Sequence, residues 1–361
     1  MTATFEYQPD KLYSPGQHLA MWLDKREMSQ AELARRLSLT PKHINQLVGG
    51  GVALTPDVAV ALEQVTDIPA SAWARIEADY RSATALRKAD EELAAHLDVL
   101  EQFPIREMER RDYFEQPAGT TKVAKLRQLL KFFGVADVDA LQSVVVEPKA
   151  LRASRAFTRS DGALAAWMRK AELIASTITT ERFDQERCSA ALQELRGLTR
   201  YDGVSWREPL ERICADVGIA VVILKELPGC RINGATQWLT PGRAMVALSL
   251  RHRRHDIFWF TFFHELGHLL RHSKRETFID AIGAGVDENL ERDADRFASR
   301  LLIPPQDESE LPGLTDEKAI RSFAERIGVA PSIVVGRLHY EKLAPPSRWQ
   351  HLITRYKFAD D

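Results

Sequence analysis

The sequence predicts a mainly α-helical protein, of α+β class overall, organised in three segments. Residues 1–82 contain a succession of short amphipathic stretches with helix start signals, which predict an all-helical domain. Residues 83–203 are rich in alanine, leucine, arginine and glutamate and contain few glycines, which predicts further helices. Residues 204–361 place runs of β-branched residues before a histidine-bearing helix, which predicts a small sheet in an otherwise helical domain.

The composition excludes several classes of protein. The 361-residue chain is long enough for two or three domains, and its formal net charge of -2 shows no global bias toward nucleic acid or membranes. Its three cysteines are an odd number without a CxxC spacing, which suggests neither a disulfide framework nor a thiolate zinc site. Because neither a secretion signal nor a run of about 18 apolar residues is recognisable, we expect a cytoplasmic protein without a membrane partner.

The N-terminal segment contains signals for two short helices joined by a tight turn. Ser29 can cap the first helix, and Glu32 three residues later can return the hydrogen bond, which is the reciprocal capping box. Thr40 can cap the second helix with Pro41 at its first position, where a missing N–H costs nothing. Three glycines, residues 49–51, then end the second helix.

This pair of helices, SQAELARRLSLTPKHINQL, resembles a helix-turn-helix of the Xre and Cro repressor type. The resemblance implies that the second helix enters the major groove of double-stranded DNA, while Gln30 at the start of the preceding helix faces a phosphate. The residues then expected to face the base edges are Thr40, Lys42, His43, Asn45 and Gln46. Residues 1–80 contain more acidic than basic residues, so we expect only a modest electrostatic affinity for DNA. Binding of a homodimer to a symmetric operator would compensate for it. A helical protein-interaction domain without DNA binding is the alternative.

A wider resemblance covers most of the first 80 residues. The run from PGQHLAMWL through ALTPDVAVALEQVTDIPASAWARIEADY is similar to the HigA type of antitoxin. Members of that family repress their own operon and neutralise a partner toxin. The resemblance therefore implies two partners, an operator in double-stranded DNA and a protein encoded nearby.

The middle segment predicts helices but contains no recognisable catalytic or ligand-binding motif. The pattern predicts helices at residues 84–100, 121–133, 161–177 and 184–197. A linker, a dimerisation unit and a ligand sensor are all compatible with this segment.

Runs of β-branched residues predict a small sheet after residue 218. Residues 219–224 and 244–250 form two such runs, bounded by glycine or by proline–glycine pairs. Together with ATQWL, residues 235–239, they predict about three strands before the histidine helix. Residues 235–239 or 245–250 could then offer an edge strand on which an extended peptide pairs.

The segment WFTFFHELGHLLRH, residues 259–272, contains the HExxH pattern. Positions four apart lie on one face of a helix, so His264 and His268 can both direct a ring nitrogen at one metal ion. Glu265 projects about 100° around the helix axis, where it can reach a metal-bound water without being a ligand. Two histidines leave a tetrahedral zinc ion short of one protein ligand.

A second amphipathic helix, predicted at residues 288–302, contains candidates for that ligand. Glu291 and Asp295 are four residues apart and therefore lie on one face. Glu291 can complete the coordination, while Asp295 can bond the second nitrogen of a histidine ligand and fix its tautomer. Asp293 is the competing ligand candidate, but helical spacing directs it away from the Asp295 side.

Together, FTFFHELGHLLRH and ERDADRFASRLLIP resemble the ImmA/IrrE family of metallopeptidases over roughly residues 205–340. The resemblance implies a zincin-like fold of the gluzincin type, in which two helices hold one zinc ion beside a small sheet. It also implies His264, His268 and Glu291 as the zinc ligands, with Glu265 as the general base.

Two further roles concern residues around the metal helix. His272 lies one turn beyond His268 on the same face, and we expect it to support a ligand or the fold rather than to bind the metal. Spacing favours none of the side chains that are candidates for stabilising an oxyanion. These candidates are Tyr201, His252, His255, His272, His339 and Tyr340.

The patterns and the resemblances together predict a DNA-binding transcriptional regulator with a zinc-dependent endopeptidase domain. Glu265 would take a proton from water and return it to the leaving amine during hydrolysis of a specific regulatory protein. The chain would be the antitoxin and autorepressor of a toxin–antitoxin or stress-response module, acting on a toxin or repressor protein encoded nearby. One alternative is an antitoxin that neutralises its toxin by binding, with a structural or sensory zinc site. Another is a stress-responsive transcription factor without a toxin partner.

Overall fold

The computed structural model has the mainly α, α+β architecture that the sequence predicts. It describes residues 13–114, 120–146, 159–272, 278–281 and 288–357. The chain divides into two compact units, residues 1–96 and 97–361, and the segment expected at 83–203 contributes to both. The division into three segments stays a prediction. Among the described residues, no helix is long and apolar enough to cross a membrane.

The described part of the first unit consists of five helices. They are α1 (Pro15–Lys25), α2 (Gln30–Arg36), α3 (Pro41–Val48), α4 (Pro56–Thr66) and α5 (Ala70–Ala94). The caps predicted at Ser29 and Thr40 are present, since each side-chain oxygen accepts a hydrogen bond from the backbone N–H three residues later. Glu32 does not complete the reciprocal pair, because its carboxylate contacts Arg35 and Arg36 instead.

An apolar core of its own holds the first unit together. Its fully buried side chains include Leu19, Leu33, Ile44, Leu62 and Trp73, one from each helix. Burying a leucine- or isoleucine-sized side chain contributes roughly 1.5–3 kcal/mol. Because Leu33 of α2 and Ile44 of α3 share this core, their burial fixes the angle between the two helices of the helix-turn-helix.

The second unit contains helices before and after a sheet. The helices are α6 (Ile105–Arg110), α7 (Lys122–Phe133), α8 (Val138–Val146), α9 (Arg159–Thr177), α10 (Gln185–Gly197), α11 (Arg207–Asp216), α12 (His255–Arg271), α13 (Glu288–Leu302), α14 (Glu317–Ile327) and α15 (Pro331–Tyr340). The helices predicted at 121–133, 161–177 and 184–197 correspond to α7, α9 and α10. The one predicted at 84–100 is instead the end of α5 followed by a 3-10 helix, Leu97–Gln102.

The sheet has four strands among the described residues, in the order β1-β3-β2-β4. The strands are β1 (Ile219–Ile223), β2 (Ile232–Thr240), β3 (Arg243–Leu248) and β4 (Phe278–Ala281). β1 runs parallel to β3, and β2 is antiparallel to both β3 and β4. The expectation that residues 235–239 or 245–250 form an edge strand is wrong, because β2 and β3 each pair with two neighbours. The unpredicted strand β4 covers β2, and with four residues it is too short to show an alternating pattern.

Helix α12 lies inside the core of the second unit. It packs against β2, β3, α13 and α15. Trp259, Phe262, Phe263 and Leu266 are fully buried, as expected for core residues behind the metal helix. This packing fixes the backbone from which the two predicted histidine ligands project.

Candidate metal centre

Helix α12 brings two histidine rings together on the side that contacts α13. His264 and His268 are both buried, and their Nε2 atoms lie 3.0 Å apart. The four-residue spacing produces this arrangement, because residues i and i+4 stack on one face of a helix.

Helix α13 brings a carboxylate to the same point. Glu291 Oε2 lies 3.2 Å from Nε2 of His264, and Glu291 Oε1 lies 3.3 Å from Nε2 of His268. One ligand atom from each residue lies within 4.8 Å of the others, so the three residues could hold a metal ion. Two imidazole nitrogens and one carboxylate fit the three-ligand set of catalytic zinc sites, which leaves a fourth position for water or substrate.

The close approach of α12 and α13 depends on small residues. A methyl group added at Gly267 would lie 3.2 Å from Cα of Ala294 and 3.1 Å from Cδ1 of Phe297. A larger side chain would therefore push the helices apart and move Glu291 away from the histidines. Sequence reasoning missed Gly267, because it carries no ligand atom. A glycine inside a helix lowers helix stability by about 1 kcal/mol relative to alanine, so its presence there indicates a packing constraint.

Both histidines have a partner at the ring nitrogen that faces away from the cluster. Asp295 Oδ1 lies 2.9 Å from Nδ1 of His264, and His272 Nδ1 lies 3.0 Å from Nδ1 of His268. Asp293, the competing ligand candidate, lies outside the cluster, with Oδ2 3.8 Å from Nε2 of His272. Contacts of this kind fix the tautomer and orientation of metal-binding histidines.

Charge around the cluster favours a bound cation. Burial lowers the pKa of His264, but hydrogen bonds with Asp295 and Glu291 more than offset burial and raise the pKa to about 10. Burial acts to raise the pKa of Glu291, yet its contacts with both histidines lower the pKa to about 2. Glu291 is therefore ionised at neutral pH and attracts positive charge, and a proton and a metal ion compete for the same histidine nitrogens.

Glu265 projects toward the sheet rather than toward α13. Its side chain is fully buried, and Thr236 on β2 donates a hydrogen bond of 2.6 Å to Oε2. A methyl group added at Gly234, two residues earlier on β2, would lie 2.7 Å from Oε1 of Glu265. Sequence reasoning missed both β2 residues. The predicted strand, residues 235–239, began after Gly234, and only the longer observed strand places this glycine inside a strand, where it marks a close approach.

A cavity of about 300 Å³ opens beside the cluster, between α12, α13 and α15. His264, Glu291 and Asp295 form one of its walls, and Gly336, Arg337 and Tyr340 of α15 contribute another. Neither Glu265 nor His268 lines it. The cavity gives a ligand access to the cluster from the side of His264.

The candidates for oxyanion stabilisation separate in the structure. Tyr340 lines the cavity beside the cluster, and this residue is 77% exposed. His255 is buried, with Nε2 at 3.0 Å from the Thr199 carbonyl and Nδ1 at 2.7 Å from the Ser332 hydroxyl. His339 contacts a backbone carbonyl through Nε2. Of these three side chains, Tyr340 alone borders the cavity.

The residues predicted to contact DNA lie on α3, at its N-cap Thr40 and, for Gln30, at the start of α2. The exposed ones are Thr40, Lys42, Asn45 and Gln46, while His43 and Gln30 are half-buried. Between them, Ile44 and Leu47 are buried in the core of the first unit. Asn45 Nδ2 donates a hydrogen bond of 3.4 Å to Oε1 of Gln30, which joins α3 to the start of α2.

Each of the two units contains a region that matches a known protein family. Residues 222–339 match the model of the peptidase family M78, the IrrE N-terminal-like domain, and residues 19–73 match a helix-turn-helix family model. These matches confirm the resemblance to the ImmA/IrrE family and the resemblance to a helix-turn-helix, each within the matched residues. The chain therefore combines a helix-turn-helix region with a region similar to the M78 peptidases.

Among solved structures, an addiction module antidote protein of a HigA family from Coxiella burnetii is similar to a limited region of this chain. The identity is 23%, and the alignment covers 24% of this chain and 94% of that chain with a TM-score of 0.22. A TM-score this low does not show a shared overall fold. No curated protein matches the chain.

Proposed function

We propose that this chain is a DNA-binding regulator whose second unit hydrolyses peptide bonds with a zinc ion held by His264, His268 and Glu291. The observation that carries the proposal is the convergence of three ligand atoms, from His264 and His268 on α12 and from Glu291 on α13. The buried Glu265 directly follows His264 on α12. The family matches in residues 19–73 and 222–339 support its two halves.

The chemistry assigns a task to each residue near the cluster. Zinc, when bound, supplies a Lewis acid that polarises the peptide carbonyl and lowers the pKa of water to about 7. Glu265 acts as general base, removing a proton from the attacking water and donating it to the leaving amine. Asp295 and His272 hold the outer nitrogens of the two histidine ligands. Tyr340, at the cavity wall, donates a hydrogen bond to the developing oxyanion.

The first unit directs this activity to DNA. Asn45 and Gln46, exposed on α3, have amide groups that can each make two hydrogen bonds to adenine in the major groove. The chain then acts as a homodimeric autorepressor and antitoxin in the cytoplasm, and its substrate is a toxin or repressor protein encoded nearby.

A second candidate function is binding without hydrolysis. Glu265 favours it, because its carboxylate is fully buried against β2, accepts a hydrogen bond from Thr236 and does not line the cavity. In that case the chain silences a toxin by contact, and the zinc ion serves the fold or senses a signal.

Co-expression with the neighbouring gene product distinguishes the two functions. The wild type is compared with Glu265→Gln, which keeps the size of the side chain, and with Glu186→Gln, an exposed glutamate of α10. We expect all three proteins to contain one zinc ion per chain and only Glu265→Gln to leave the neighbour uncut. If the neighbour is silenced but intact with every protein, binding is the function and hydrolysis is refuted.

A further inference from the structure

A run of basic residues, RHRRH at positions 251–255, precedes α12 and has no role in the proposed hydrolysis. Arg251 and Arg254 are half-buried, and His252 and Arg253 are exposed. The loop connects β3 to α12, so the fold brings these four basic side chains together at one place on the second unit.

Two more cations reach this loop from a distant part of the sequence. Arg254 and Arg355 are partners in an antiparallel β-bridge, and the backbone N–H of Tyr356 donates a hydrogen bond of 2.9 Å to the Arg253 carbonyl. Successive side chains of an extended segment point to opposite sides. Because Tyr356 is buried, Arg355 and Lys357 on either side of it point to solvent, and both are exposed.

Positive charge dominates this surface. We call it the basic patch, and its residues are Arg251, His252, Arg253, Arg254, Arg355 and Lys357. Arg254 is paired, because Asp256 accepts hydrogen bonds of 3.0 and 2.6 Å from its guanidinium group. No carboxylate among the described residues forms an ion pair with Arg251, Arg355 or Lys357. The patch therefore attracts anions, since the described part of the chain leaves these three cations without a bonded countercharge.

Repulsion within the patch favours an anionic partner. Arg254 and Arg355 lie directly opposite each other, and like charges in that position of a strand pair are destabilising. Two described carboxylates, Glu226 and Asp256, are near enough to act on His252, but five residues of the patch carry a permanent positive charge. The excess of positive charge raises the electrostatic free energy of this surface, and a bound anion would lower it.

The charge of the first unit indicates which anion to expect. Residues 1–80, which include the helix-turn-helix match at 19–73, contain more acidic than basic residues. The affinity of a protein for DNA depends largely on cations that contact phosphates, since each contact releases condensed counterions. A helix-turn-helix without a surplus of cations therefore benefits from phosphate contacts elsewhere in the chain. The basic patch offers the arginine and lysine side chains that make such contacts.

We propose that the basic patch of the second unit binds the phosphate backbone of double-stranded DNA without regard to base sequence. The inference rests on the proposed function, because it assumes that the chain binds DNA, and it adds a second contact surface to the one on α3. Phosphate contacts strengthen binding to every sequence, whereas base contacts supply the preference for an operator. Loss of the patch thus lowers the affinity for all sequences alike.

The salt dependence of DNA binding tests this assignment. The full-length wild type is compared with the double variant Arg355→Gln, Lys357→Gln by fluorescence anisotropy at several salt concentrations. The ligands are two duplexes of equal length, one from the promoter of the chain's own gene and one of unrelated sequence. Each lost phosphate contact lowers the slope of log K against log salt concentration by about 0.9 in magnitude, so we expect a decrease of about 1.8. Both duplexes should lose affinity by the same factor.

A matched control removes the same kinds of charge elsewhere in the second unit. Arg187 on α10 and Lys318 on α14 are exposed, and the double variant Arg187→Gln, Lys318→Gln should keep the wild-type slope. An equal decrease in both double variants would be a general effect of net charge and would overturn the proposal. If the variant at Arg355 and Lys357 does not fold, Arg251→Gln replaces it, with an expected decrease of about 0.9. An unchanged slope in the folded variant refutes the patch.

Asn45→Ala, on α3, separates this inference from the proposed function. It should reduce the preference for the promoter duplex over the unrelated one and leave the slope unchanged. If the patch variant lowers the slope but Asn45→Ala keeps the full preference, the patch stands and base recognition by Asn45 is refuted. If Asn45→Ala loses the preference but the patch variant keeps the slope, the patch is refuted and the proposed function stands. If the wild type binds neither duplex, both are refuted.

Other anionic partners would give a different result. A polyglutamate peptide and vesicles that contain phosphatidylserine are added as ligands of the wild type and the double variant. Loss of affinity for one of these ligands in the double variant, together with an unchanged slope for DNA, would assign the patch to that partner. The assignment to DNA would then be overturned.

Discussion

Thr236 connects the sheet to Glu265, the general base of the proposed hydrolysis. Its hydroxyl donates to a fully buried carboxylate, Glu265 Oε2, at 2.6 Å. Thr236→Val keeps the shape of the side chain but removes this donor, so we expect the free energy of unfolding to fall by roughly 1–3 kcal/mol in denaturant titrations. Thr236→Ser keeps the hydroxyl and should lose less. A larger loss in Thr236→Ser than in Thr236→Val would mean that the threonine methyl group, and not the hydrogen bond, matters.

His255 makes the second unit sensitive to acid. Burial lowers its pKa to about 4, whereas an unfolded histidine titrates near 6.5. Between these values the unfolded chain binds a proton that the folded chain does not, so stability falls as the pH drops through this window and is fully present above it. The loss is at most roughly 3 kcal/mol, at about 1.4 kcal/mol per pKa unit.

A variant at His255 isolates this contribution from that of the other histidines. His255→Gln cannot titrate, so its free energy of unfolding should depend less steeply on pH between about 4 and 6.5 than that of the wild type. Denaturant titrations of both proteins, each with a zinc chelator present, measure the two slopes. Parallel slopes would contradict the assignment of the acid sensitivity to His255.

At the scale of secondary-structure elements, the distance between α12 and α13 determines whether three ligands can meet. Gly267→Ala adds a methyl group at 3.2 Å from Cα of Ala294, a backbone atom that cannot move without its helix. We expect zinc affinity to fall by about 10- to 100-fold, as for other changes that displace a ligand indirectly. Competition with a chromophoric chelator measures it. Gly197→Ala in α10, where an added methyl group meets nothing within 4 Å, should leave zinc affinity unchanged.

Local patterns in the sequence predicted the elements that carry the centre better than the contacts between them. His264 and His268 are four residues apart, as are Glu291 and Asp295, and the helical repeat alone places each pair on one face of its helix. The packing of the sheet against α12 decides which way Glu265 projects from the helix. The same packing brings Thr236 within hydrogen-bonding distance of Glu265. The strand β4 was missed because four residues carry too little pattern to separate a strand from a loop.

At the scale of the whole chain, the two candidate functional surfaces differ in how far apart their residues lie in the sequence. The exposed face of α3 belongs to one helix, so its residues could be predicted from a single segment. The cavity is lined from Asn233 to Tyr340, by residues that meet only when β2, α12, α13 and α15 have packed. No local period encodes that packing, and for this reason the sequence predicted metal ligands but not the pocket beside them.

The last prediction concerns whether zinc influences DNA binding. The first unit buries its own core, from Leu19 to Trp73, and this core holds α3 in place without any residue of the metal centre. Coupling between two sites needs an element whose state both sites bias. Among the described residues, the core of the first unit is formed by residues of that unit. We therefore expect operator affinity to stay within about twofold when zinc is removed by a chelator or by His264→Ala. Asn45→Ala serves as the positive control and should weaken binding by roughly 5- to 150-fold, equivalent to 1–3 kcal/mol.

Fluorescence anisotropy with the promoter of the chain's own gene, at one fixed salt concentration, measures these affinities. A change of tenfold or more on zinc removal would contradict independent sites, because it corresponds to a coupling free energy of about 1.4 kcal/mol. By reciprocity, operator DNA would then change zinc affinity by the same factor. In that case the metal centre would regulate the repressor directly, and the sensory role of zinc would gain support over a purely hydrolytic one.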